Sequence, residues 1–154
     1  MNNLHNLLEK YNIWYELSFG SLLGAVRHSD IIPHDDMDII VWKRDQNNFD
    51  NIIFPLLEKQ GYKIEKTWKL YRVYSDANHF IDIFFINDIN NKIYRNVTGD
   101  ENIPNKNNVW WWKWFGFPSF LINNRKLFRF NKYYFYGPFN PKELLFYWYG
   151  NNYL

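Results

Sequence analysis

An α+β domain, with a mixed central sheet flanked by helices, is the fold class this sequence predicts, and three observations carry it. Two apolar runs, residues 37–42 and 80–86, read as buried strands, each interrupted by a single acid. Three stretches, residues 3–12, 46–60 and 141–149, place apolar side chains at helical spacing. The chain has 154 residues, of which 47% are hydrophobic and 22% charged, enough for one domain with a real core and too apolar for disorder.

The first helix, residues 3–12, uses Leu4, Leu7 and Leu8, with Asn2 or Asn3 as its cap. Residues 13–19 read as a short aromatic strand ending at Gly20, and residues 21–26 as a short helix. Residues 28–33 form a loop, and residues 37–42 a strand that is apolar except for Asp38. In residues 46–60, Phe49, Ile52, Ile53, Leu56 and Leu57 mark a helix that Pro55 must kink or split, and Gly61 ends it. Residues 62–66 and 69–74 read as a strand pair around Thr67 and Trp68, and residues 80–86 as the most strand-like run in the chain. Residues 87–108 are polar and rich in Asn and read as loops, with a weak hairpin edge at 93–95. Residues 126–130 and 133–136 read as strands. Pro141 suits the first turn of the last helix, and Gly150 stops it. With no internal repeat and no composition break, residues 1–154 are expected to form a single domain.

The bulk numbers narrow the function classes. A net charge of +2 does not argue for nucleic acid on electrostatics. The chain has no Cys, so disulfide frameworks and thiolate chemistry are excluded. The N-terminal residues lack a basic segment followed by an apolar core, so no signal peptide is read. No apolar run approaches the roughly 20 residues of a membrane span. A cytoplasmic or other intracellular location is the resulting expectation.

Three acids close to a buried strand are costly, because like charges repel and burial disfavours ionisation. A chain usually keeps them only with a cation among them. Asp36 and Asp38, two residues apart on a strand, share a face, while Met37 and Ile39 point to the core. Asp82, between Ile81 and Ile83, repeats the pattern on a second strand. If the strands are neighbours, the three carboxylates form an oxygen-only site suited to Mg²⁺ or Mn²⁺. Upstream, Gly20 and Ser21 open a helix whose N–H groups suit a phosphate, and Arg27 adds a bidentate donor. A bland alternative exists for each part: Gly-Ser before a helix is more often a cap, and a lone strand acid often pairs with Arg.

At these residues the chain resembles the LicD/fukutin family of the nucleotidyltransferase fold. The resemblance rests on Gly20, Ser21, Leu22, Leu23, Gly24, Arg27 and His28, then Ile32, Pro33, His34, Asp35, Asp36 and Asp38. Phe80 to Phe84 looks like the family's third-carboxylate strand, and residues 136–153 like its closing helix and Tyr-Gly ending. Two departures stand out. The acids read Asp-Asp-Met-Asp, one residue shorter than the family's usual spacing, and the chain is short for the family. The resemblance implies a nucleotidyltransferase-like (polymerase-beta-like) fold. It also implies a metal-dependent phosphotransferase that moves a phospho-alcohol from a CDP-activated donor to a glycan hydroxyl, releasing CMP. Asp36, Asp38 and Asp82 would hold Mg²⁺ or Mn²⁺. Gly20, Ser21, Arg27 and His28 would face the phosphates, and Asp35, His34 and His28 are candidate bases.

Two rivals follow from the same residues: NMP transfer from an NTP to a small molecule or sugar phosphate, and a non-catalytic domain that binds a glycan or nucleotide. The block of Trp110, Trp111, Trp112, Trp114, Phe115 and Phe117 carries three readings: core and edge packing, a sugar- or choline-stacking platform, and a peripheral membrane contact. Arg125, Lys126, Arg129 and Lys132 read most simply as a solvated strand edge.

Overall fold

The alternating apolar runs do become strands, and a computed structural model places them in one mixed sheet. It describes residues 1–30, 36–67, 70–95 and 115–152. The chain runs through helix α1 (Asn2–Lys10), strand β1 (Tyr15–Leu17), helix α2 (Phe19–His28) and strand β2 (Met37–Trp42). A helical stretch with α3 (Gln46–Asn48) and α4 (Phe54–Lys59) leads to β3 (Lys63–Lys66), β4 (Tyr71–Asp76), β5 (His79–Ile89) and β6 (Lys92–Arg95). The short β7 (Phe117–Pro118), the hairpin β8 (Arg125–Phe130) and β9 (Tyr133–Pro138), and helix α5 (Pro141–Tyr149) complete it.

The main sheet has the order β1-β2-β5-β4-β3, with β6 pairing the C-terminal part of β5 and β7 pairing β6. Among the described residues only β2 and β5 pair in parallel, and every other strand pair is antiparallel. Period-two alternation puts Tyr15, Leu17, Ile39, Val41, Tyr71, Val73, Ile81, Ile83 and Phe85 on one face, all buried. The helical stretch closes that face, with Phe49 against Phe85 and Phe54 against Tyr71, ring centroids 5.7 Å apart in each pair. The opposite face carries Glu16, Asp38, Asp82 and Arg72, and α2 lies by it.

Several boundaries differ from the sequence expectation for identifiable reasons. The helix expected to start at Ser21 starts at Phe19, so Gly20 and Ser21 lie inside its first turn, and β1 shrinks to three residues. Phe19 adopts φ 46°, a left-handed conformation that is strained for a bulky side chain. Its ring is held at 4.6 Å from Trp148 and 5.3 Å from Phe84. Pro55 splits its helix as expected, through a π segment at Phe49–Ile53 just before it. The wider turn takes up the missing proline N–H and the clash of its ring with the preceding turn. Gly61, at φ 95°, closes α4: its N–H bonds to Glu58 O at 3.0 Å and Tyr62 N–H reaches Leu57 O at 3.1 Å, the Schellman pattern.

The stretch from 87 to 95, read as loop with a weak edge, is a full hairpin. Asn90 and Asn91, at φ 52° and 65°, form the two-residue turn between Ile89 and Lys92. The strands expected at 126–130 and 133–136 form a separate two-stranded sheet. There Gly137 lets the strands close up, because a Cβ would stand 2.7 Å from the Phe128 ring. The tryptophans at 110–112 and 114 lie outside the described residues. Phe115 and Phe117, from the end of that block, are buried.

Candidate functional site

The β2–β5 register assembles the site. Asp38 lies directly beside Asp82 on the neighbouring parallel strand, and Arg72 of β4 lies on the far side of Asp82. Cross-strand partners share a face, so Asp38, Asp82 and Arg72 form one row across three strands. Asp82 is buried, with 7% of its surface exposed, and both of its carboxylate oxygens are engaged. Arg72 Nε donates to Oδ1 at 2.5 Å and Nη2 to Oδ2 at 3.0 Å. Burial pushes the Asp82 carboxyl above its ordinary range, and the Arg72 hydrogen bonds and charge oppose that push. The same contact, first through its hydrogen bond to Asp82, raises the Arg72 guanidinium further.

Asp36 and Asp38 are anchored from α2. The Ser21 hydroxyl accepts the Asp38 N–H at 2.6 Å and donates to Asp36 O at 3.3 Å, while Ser18 N–H donates to Asp38 O at 3.0 Å. The N–H groups of Ser21 and Leu22 turn back to Ser18 O, at 3.0 and 3.2 Å. Ser21 therefore holds the start of β2 in place. Asp36 sits one residue before β2 and is half-buried. Among the described residues no three His, Asp or Glu side chains gather as one metal-holding group. The structure thus brings Asp38 and Asp82 side by side, with Asp36 adjacent at the strand entrance. The donor chemistry, carboxylates in register on neighbouring strands, fits a hard divalent cation.

Arg27 and His28 are exposed in the last turn of α2, about 9 Å along the helix from Ser21 at its usual rise. Cations at that end suit the helix dipole. His34 and Asp35, two of the candidate bases, lie outside the described residues. Two functional candidates escaped the sequence reading. Arg72 stood in a strand read only for its apolar residues; its antiparallel position opposite an acid was the available signal. Glu16 stood in a strand too short to show which face it served. It is fully buried, its two carboxylate oxygens have no hydrogen-bond partner among the described residues, and burial pushes its carboxyl well above the ordinary range.

The mixed sheet with its flanking helices is an α+β fold, and a solved nucleotidyltransferase shares it. A solved lincosamide antibiotic adenylyltransferase, LnuA, in its lincomycin-bound form, superimposes with a TM-score of 0.51 over 94% of this chain and 82% of its own, at 18% identity. The chain belongs to the LicD/FKTN/FKRP nucleotidyltransferase-domain family, whose model matches residues 12–140. An uncharacterised Rickettsia typhi protein, RT0683, is 32% identical over 92% of this chain and 41% of its own length. Human ribitol 5-phosphate transferase FKRP is 37% identical over 47% of this chain and 16% of its own. The Haemophilus influenzae lipopolysaccharide cholinephosphotransferase LicD is 36% identical over 35% of this chain and 21% of its own. The chain spans less than half the length of RT0683 and of a second 32%-identical relative, the uncharacterised Rickettsia prowazekii protein RP689. Among the described residues no helix is long and apolar enough to cross a membrane.

Proposed function

We propose that this chain is a phosphotransferase domain that moves a phospho-alcohol, of the phosphocholine or ribitol-phosphate kind, from a CDP-activated donor to a glycan hydroxyl. The observation that carries the reading is the Asp38–Asp82 pairing on parallel neighbouring strands, in a chain that is similar over part of its length to two named phospho-alcohol transferases. In the reaction the acceptor oxygen bonds to the phosphorus of the phospho-alcohol, the bond from that phosphorus to the CMP oxygen breaks, and CMP leaves. Asp38 and Asp82, with Asp36 at the strand entrance, would hold Mg²⁺ or Mn²⁺. Such a cation neutralises the diphosphate and the departing CMP. Ser21 fixes the backbone on either side of Met37, so the carboxylates stay aimed. The first turn of α2, at Gly20, and the side chain of Arg27 supply positive potential for the donor phosphates. The acceptor proton passes to a base, for which Asp35, His34 and His28 are the candidates.

The test is a screen of CDP-linked alcohols with Mg²⁺ or Mn²⁺ and glycan acceptors, following CMP release. Thermal shift runs in parallel, because a ligand that binds only the folded state raises apparent stability. CMP release from a CDP-alcohol is the expected result. Pyrophosphate release from an NTP would replace this reading with nucleotidyl transfer. Thermal shifts with nucleotide or glycan but no turnover would replace it with a binding domain.

A further inference from the structure

Resting on the metal-site reading above, we propose that Arg72 is a positioning residue of the site: it is the resident counter-cation of Asp82, and it yields that carboxylate to the divalent cation when the cation binds. Asp82 is buried on β5 with Asp38 as its neighbour on one side, so its charge needs a partner whether or not a metal is bound. Arg72 supplies one in the strongest geometry available, with two parallel N–H bonds to the two carboxylate oxygens.

The guanidinium is itself held in place. Its carbon lies 3.9 Å from the centre of the Phe80 ring and 6.0 Å from that of Tyr74, whose hydroxyl donates to Glu65 at 2.9 Å. The arginine side chain keeps 29% of its surface in solvent, against 11% for Asp82. It stands between Asp82 and Glu65 of β3 in register, and its greater exposure gives it a solvent side toward which to withdraw. A lysine in its place would keep the charge but lose the planar fork that aims both carboxylate oxygens. Two cations that share one carboxylate weaken each other, so the arginine lowers metal affinity while keeping the metal-free site folded.

Replacing Arg72 with Met leaves a buried carboxylate for which an added divalent ion is the only new counter-charge. The experiment measures melting temperature and calorimetric affinity for Mn²⁺ and Mg²⁺ in wild type and Arg72→Met at about pH 8, where an ordinary carboxylate is ionised. The variant is expected to melt lower without metal, to bind Mn²⁺ about tenfold more tightly, and to show the larger metal-induced rise. Arg72→Lys, which retains a cation and so protects folding, is expected between the two. In Arg72→Met/Asp82→Asn the extra metal response disappears. A merely structural arginine would lower the melting temperature by the same amount with and without metal, and equal metal shifts in wild type and both single variants overturn the proposal. A wild-type protein that responds to neither ion overturns the metal reading, and the hand-over with it.

Discussion

Two buried acids lie on the same face of this sheet, and the protein treats them in opposite ways. Asp82, in the centre of the sheet, has both oxygens bound by Arg72 and a second carboxylate, Asp38, beside it. Glu16, on the edge strand β1, is fully buried with both oxygens unpartnered. The positive charge that bears on it is Arg125, which donates to Tyr15 O at 3.1 Å and packs 3.8 Å from the Tyr136 ring. Burial alone therefore does not mark a working carboxylate. Asp82 is a buried carboxyl group whose two oxygens are both met by a guanidinium, whereas Glu16 is a dry carboxyl group for which the neutral form is the cheaper state.

The largest expected effect separates the two. Asp82→Asn removes one member of the Asp38–Asp82 pair and leaves Arg72 without its partner. CMP release is expected to fall by more than about 100-fold, beyond what an outer-shell change costs. Stability should fall by about 2 kcal/mol, less than for a fully buried pair because Arg72 keeps contact with water. Glu16→Gln should leave turnover within a few-fold of wild type. If the two variants lose turnover equally, the contrast between them fails.

Glu16 makes its own prediction through pH. Its carboxyl is raised well above the ordinary value of 4.5 by burial. Below that value both folded and unfolded chains hold the proton, and Glu16 adds no pH dependence to stability. As pH rises past it, the unfolded chain ionises while the folded one keeps its proton. Folding then loses about 1.4 kcal/mol per pH unit until the raised folded value is passed. Glu16→Gln removes that slope. Urea midpoints across a pH series should show the variant gaining on wild type toward neutral pH and converging with it in acid. Parallel curves would mean that Glu16 is solvated or paired, and the comparison with Asp82 would collapse.

Much of this was legible in the sequence because it rests on local pattern. The acids on β2 and β5, the Pro55 break, the Gly61 stop and the Pro141 start each follow from spacing or backbone chemistry. The parts that were not legible depend on which strand lies next to which. Arg72 has meaning only once β4 is registered against β5. Glu16 lies on a three-residue strand buried on both faces, where alternation leaves no trace. The α2 boundary moved because Phe19 accepts a left-handed φ for the sake of its ring contacts, a trade that no propensity reveals. The β5–β6 hairpin was hidden by polar residues at its end, although two consecutive Asn residues are themselves a turn signal.

The smallest predicted effect repeats the comparison with hydroxyls. Ser18 and Ser21 flank the start of α2, and both are buried. Ser21 accepts the Asp38 N–H at 2.6 Å, while the Ser18 hydroxyl has no partner and makes no side-chain cap bond. Ser21→Ala leaves a strand N–H without its acceptor at the mouth of the site, which should cost about 1–2 kcal/mol and reduce the metal-induced thermal shift. Ser18→Ala removes an oxygen that was already unpaired and keeps the backbone bonds to Asp38 and Leu22. Its effect should stay within about 0.5 kcal/mol, in contrast to the usual loss when a capping serine is removed. Urea unfolding of the two variants side by side decides the matter. A Ser18→Ala cost as large as that of Ser21→Ala would show that the hydroxyl has found a partner in solution, and that the dry half of this face is wetter than its neighbour Glu16 requires.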